Sequence, residues 1–214
     1  MFSSRRSRAP VAPLSENARR IALLRTRILR EMREKEWMRL AIVPISANAG
    51  ATTITTALAE TMHRQEDLRL LLVDFNLAKP NLAASVLSEG GGSFSKALRE
   101  GTPFKNLLRP VPNAPSVTLL APDRQELSGA EFLQKRELPA ALADVQDEVN
   151  PDIVLIDCAA LLESDLGLSA LPHADAILLV ANGADITARD MSDCERLLVD
   201  QPPLIGIVLN NAEA

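Results

Sequence analysis

Short apolar runs alternate with stretches of helical periodicity along most of this chain. The runs at 40–45, 68–73, 117–120, 152–156, 176–180 and 204–209 are strand-length and bounded by polar or turn residues. Several are continuous in Val, Ile and Leu, the pattern of parallel strands covered on both faces. Between them, helices are predicted over 52–64, 80–87, 93–99, 126–148, 162–171 and 186–199, with the glycines at 90–92 read as a turn. Strands alternating with helices predict an α/β fold, a doubly wound and mostly parallel sheet in a single domain. Ahead of this domain the rhythm differs. Over 15–37, Ile21, Leu24, Ile28 and Met32 recur at helical spacing on one face while arginines take the remainder. That stripe must pack on the body or on another subunit. The chain therefore divides into a basic leader (1–13), rich in Arg, Ser and Pro and expected to be disordered, an N-terminal amphipathic helix (14–39) and the α/β domain (40–214).

At 214 residues there is room for one full α/β domain and not for two. Aromatic residues make up only 3%, so the core must be aliphatic, and tyrosine is absent altogether. No apolar run approaches the roughly 18 residues a membrane helix needs, and no signal-peptide-like stretch follows the basic start. The expected location is cytoplasmic, and Cys158 and Cys194 fit reduced thiols there. Charge changes the picture more. Residues 1–39 carry 11 Arg or Lys against four Glu, on a chain whose net charge is −5. A basic leader on an acidic body either is a solvated face or meets anionic lipid or an acidic partner; the overall acidity disfavours nucleic acid.

In open α/β sheets, ligands bind beyond the carboxyl ends of the strands. The first strand runs into Pro44-Ile45-Ser46-Ala47-Asn48-Ala49-Gly50-Ala51-Thr52-Thr53 and then a helix. A working phosphate-binding loop reads GxxxxGK[ST]: amides and the helix N-terminus cradle phosphate, the lysine reaches the β- and γ-phosphates, and the hydroxyl holds Mg²⁺. Gly50 and Thr52 keep their places, whereas Ile45 stands for the first glycine and Ala51 for the lysine. A hydrogen bond to a charged group is worth roughly 1.5–3 kcal/mol, so losing the lysine weakens phosphate binding by about 10- to 100-fold. What remains is a weak anion site, or a tight turn capped by Thr52 or Thr53 that binds nothing. Asp74 and Asp157 each close an apolar strand and so reach the same sheet edge. Two such carboxylates beside a phosphate loop are how these folds hold Mg²⁺, with Thr52, Asp74 and Asp157 as the metal set. A carboxylate there serves equally well as an acceptor for loop amides.

The order of these segments resembles the bacterial tyrosine kinases of capsule and exopolysaccharide assembly, within the deviant-Walker P-loop class. The similarity spans nearly the whole chain: Leu24-Arg25-Thr26-Arg27 in the leading helix, Asp74 to Pro80 after the second strand, Gly92 to Gly101, Asp152 to Ala160 with Ser164-Asp165, and Gly206-Ile207-Val208-Leu209-Asn210. The resemblance implies a P-loop NTPase-like fold, ATP and Mg²⁺ as cofactors, and a nucleotide site at Asn48, Ala49, Gly50, Ala51, Thr52, Thr53 and Asn210, with Asp74 and Asp157 in the catalytic places. It departs from the family at its chemistry. Ala51 and Ser46 replace both lysines, Asn76 and Ala78 replace an acid and a base, Ala159 and Ala160 replace two prolines, and Arg19 and Ala22 break the oligomerisation pattern. The tyrosine cluster has no counterpart.

The resemblance thus implies a catalytically impaired relative, with ATP and Mg²⁺ binding weak or lost. It would act as a cytoplasmic accessory of exopolysaccharide synthesis or export beside a chain-length-regulating membrane protein, as a monomer or in a hetero-complex, with the basic leader free to touch the inner-membrane surface. Two other readings stay open. One is an active kinase or ATPase using another cation, such as Lys79 or a neighbouring chain's arginine. The other is a partition-type positioning ATPase.

Overall fold

The computed structural model describes residues 15–65 and 67–211, so the basic leader lies outside the described residues. Helix α1 (Glu16–Glu34) starts at Ser15, whose hydroxyl accepts from the Ala18 amide at 3.3 Å. Strand β1 (Arg39–Pro44) follows, then helix α2 (Ala51–Met62), strand β2 (Leu70–Asp74) and the short helices α3 (Leu82–Ser85) and α4 (Phe94–Glu100). A two-residue strand β3 (Arg109–Pro110), strand β4 (Val117–Leu120), helices α5 (Gly129–Leu133) and α6 (Leu138–Val149) and strand β5 (Ile153–Asp157) come next. Helix α7 (Asp165–Ala170), strand β6 (Ala176–Asn182), helix α8 (Ala188–Leu197) and strand β7 (Leu204–Asn210) complete the order.

The seven strands form one sheet in the order β3-β4-β2-β5-β1-β6-β7, parallel except for the β3–β4 pair at one edge. The expected doubly wound, mostly parallel α/β architecture is what the chain adopts. In β2 and β5 every residue is buried, which accounts for their unbroken apolar runs. Each sheet face carries its own core. On one, Phe94, Phe104 and Phe132 gather with ring centroids 5.5 to 6.5 Å apart, joined by Leu71, Val73, Phe75 and Ile156. The other, under α1 and α2, is aliphatic: Ile28, Met32, Leu40, Ile42, Ile54, Leu58 and Leu72.

Of the two destinations open to the α1 stripe, the structure shows the chain's own body. Ile28 and Met32 are buried and Ile21 and Leu24 pack against the same core. Arg25 fastens the helix by donating to the Thr61 carbonyl at 3.1 Å. Both cysteines are buried free thiols.

Three expectations need correction. The helix expected over 126–148 is two helices, because Pro139 lacks an amide hydrogen and its ring clashes with the preceding turn; it stands in the first turn of α6 instead of inside a longer helix. The buried Glu126 is drawn out of helix to accept the Phe94 amide at 2.6 Å, at the start of α4. The 80–87 segment is helical only at Leu82–Ser85, closing before Leu87 with its φ of 55°. The strand β3 was not expected; with two residues and a proline, it is an edge strand without periodicity to read.

Candidate functional site

Strand β1 lies between β5 and β6, so its carboxyl end opens into the crevice where the sheet's winding changes direction. Ile45 does not belong to the loop that follows. It is fully buried, and its amide continues the sheet by donating to Val180 at 2.9 Å. The loop itself turns through Asn48 (φ 60°) and Gly50 (φ 91°), and α2 begins at Ala51. Gly50 is required twice over: its backbone is left-handed, and a Cβ there would lie 2.2 Å from Asn210 Nδ2. That same Asn210 amide donates to the Ala49 carbonyl at 2.9 Å, clamping the loop from the end of β7. The sequence pointed to Asn210 as a nucleotide contact; its visible contact is with the loop.

Asp74 and Asp157 are register partners on adjacent parallel strands, at the same sheet edge as the loop. Both are buried, and each is already partnered. Asp74 accepts the backbone amides of Asn76, Asn81 and Leu82 at 3.0 to 3.1 Å, which folds the 76–81 segment back and sets the start of α3. Asp157 accepts the Thr52 hydroxyl at 2.7 Å and lies 3.4 Å from that of Thr55, one turn along α2. Burial is the main reason both carboxyls are held above the ordinary range, Asp74 at about 6 and Asp157 at about 8. The charge of Asp74 adds to the shift at Asp157, while the backbone amides and threonine hydroxyls oppose it at their respective partners. The pair therefore favours holding a proton.

Thr52, Asp74 and Asp157 are oxygen donors of the type Mg²⁺ takes. In this arrangement, however, the Thr52 hydroxyl points to Asp157 and the Asp74 oxygens face loop amides, so they do not form a ready cation cage. No group of three or more His, Cys, Asp or Glu placed to hold a metal occurs among the described residues.

Above the pair is a cavity of about 450 Å³, whose wall includes the whole of 47–53, together with Asn76, Lys79, Ala159, Ala160 and Glu163. Ala51 lies in that wall with only 4% of its surface exposed. Among the described residues, Lys79 is the one basic side chain lining the cavity and Glu163 the one acidic one. Glu163 is a residue that sequence reasoning missed. The Leu161 and Leu162 amides donate to Pro44 and Ile45, at 2.9 and 3.1 Å, and pin the segment after β5 along the loop. Glu163 Oε1 then accepts the Ala47 amide at 2.6 Å. Gly167 permits this path, since a Cβ there would meet the Ala159 carbonyl at 2.7 Å.

No family model and no curated protein sequence matches the chain. Solved structures do. The kinase domain of the Escherichia coli tyrosine kinase ETK aligns over 98% of this chain and 84% of its own, with a TM-score of 0.81 and 19% identity. The chimerical protein CapA2B2 aligns over 95% and 88%, with a TM-score of 0.80 and 18% identity. The chain has the fold of these proteins. Farther off, the septum site-determining protein MinD of Pyrococcus horikoshii, complexed with Mg-ADP, aligns over 81% and 70% at a TM-score of 0.65 and 22% identity. The fold is thus shared with the ETK kinase domain and CapA2B2 at less than a fifth of the sequence in common.

Proposed function

We propose that this protein is a P-loop-fold accessory of exopolysaccharide synthesis or export whose catalytic centre has lost its function. It works in the cytoplasm beside a chain-length-regulating membrane protein, with its basic leader turned toward the anionic inner-membrane surface. The observation that carries the reading is the state of the loop. Its backbone scaffold persists, from the left-handed Gly50 to the start of α2, while the position that would carry the phosphate-binding charge is the buried methyl of Ala51. Thr52, Asp74 and Asp157 point the same way, each engaged within the protein. The kinase-domain fold supports the link to exopolysaccharide systems, and the Mg-ADP complex of a neighbour supports a nucleotide as the ancestral ligand.

A second reading, an active kinase or ATPase, draws on Lys79, which lines the same cavity. Equilibrium titration with ATP separates the two, performed with and without Mg²⁺ on the wild type and on Ala51→Lys. The impaired reading expects weak, Mg²⁺-indifferent binding by the wild type. Tight, Mg²⁺-dependent binding would favour the active one.

A further inference from the structure

A phosphate-binding loop works because several backbone amides converge on one anion. Here an amide of the loop, that of Ala47, already has an anion: the Glu163 carboxylate, at 2.6 Å. The contact is not a by-product of core packing. Glu163 is exposed, and its side chain has no other hydrogen-bond or ion-pair partner among the described residues. It is presented to the loop because the backbone just before it is pinned to Pro44 and Ile45.

We propose that Glu163 is a specificity-determining residue of this site, a built-in carboxylate that occupies the loop where a phosphate oxygen would bind and turns polyphosphates away. The inference rests on reading the loop as phosphate-binding. A polyphosphate entering the cavity meets the negative charge of Glu163 and finds no lysine at position 51. Lys79 alone cannot balance both. Since Glu163 is exposed and held by a single contact, it can leave the loop without unpacking anything. Removing its charge therefore changes affinity and not the fold.

The experiment is titration of the full chain with ATP, comparing the wild type with Glu163→Gln, Glu163→Ala and, separately, Ala51→Lys. Thermal melts serve as the check on folding. Glu163→Gln and Glu163→Ala are expected to bind at least about tenfold more tightly than the wild type, equivalent to about 1.4 kcal/mol. If Ala51→Lys tightens binding and neither Glu163 variant does, the site takes phosphate but Glu163 does not guard it, and the proposal falls alone. A gain in Glu163→Ala without one in Glu163→Gln also overturns it, because charge would not be the determinant. If no variant binds ATP, the phosphate-loop reading fails and takes the proposal with it.

Discussion

Replacing Asp157 with Asn should remove a pH dependence that the buried pair imposes on the fold. In the folded protein Asp157 is raised to about 8 from an ordinary 3.8, chiefly by burial. Between those values the folded state holds a proton that the unfolded state has released, so stability must fall as pH rises. Each pKa unit corresponds to about 1.4 kcal/mol, which makes the penalty at pH 7 a few kcal/mol. Asp74, raised to about 6, contributes in the same direction over the lower part of that range. His173 acts the other way. Burial lowers its pKa, and stability tied to it rises with pH up to about its unfolded value near 6.5. The clean window is therefore pH 6.5 to 8, read as the difference between wild type and variant. Asn keeps an acceptor for Thr52 and cannot ionise. In urea unfolding across this window, the wild type should lose stability steadily while Asp157→Asn stays nearly flat and is the more stable protein at pH 8. Parallel pH profiles for the two proteins, or a wild type that gains stability toward pH 8, would refute this account of the pair.

Two further outcomes test the scaffold. Gly50→Ala should lower the melting temperature, through a left-handed backbone that costs an L-residue about 1–2 kcal/mol and through collision with Asn210. Adding Asn210→Ala should recover only the collision part, as thermal denaturation of the single and double variants would reveal. Ile28→Ala, at a position 2% exposed beneath α1, should cost about 2–5 kcal/mol in denaturant unfolding without altering the oligomeric state seen by light scattering. A negligible loss would mean that the stripe docks somewhere other than its own subunit.

The sheet was legible because its interior strands are apolar on both faces, a pattern with few alternatives at that length. The placement of Asp74 and Asp157 was legible for the same reason, since each closes such a run and parallel register brings them side by side. That a carboxylate there could accept loop amides was also legible, but which amides reach it was not. The amides of Asn81 and Leu82 reach Asp74 only because the chain doubles back over seven or eight residues, and nothing in their side chains signals it. Thr55 had a signal that went unused, since it lies three residues after Thr52 on the same helix face. Pro139 likewise marked a helix start inside a stretch whose periodicity ran on. Glu163 had none: its contact depends on how the backbone after β5 is pinned against the loop, a long-range fact that local spacing does not encode.

ATP titration of wild type against Ala51→Lys decides whether the loop keeps the fold of a phosphate site without its charge. Ala51 lines the cavity at the first residue of α2, so a lysine there would start from the cavity wall. The expected result is weak binding by the wild type, unchanged by Mg²⁺, and a gain of about 10- to 100-fold on introducing the lysine. Tight, Mg²⁺-dependent binding by the wild type, with no gain in Ala51→Lys, would contradict it.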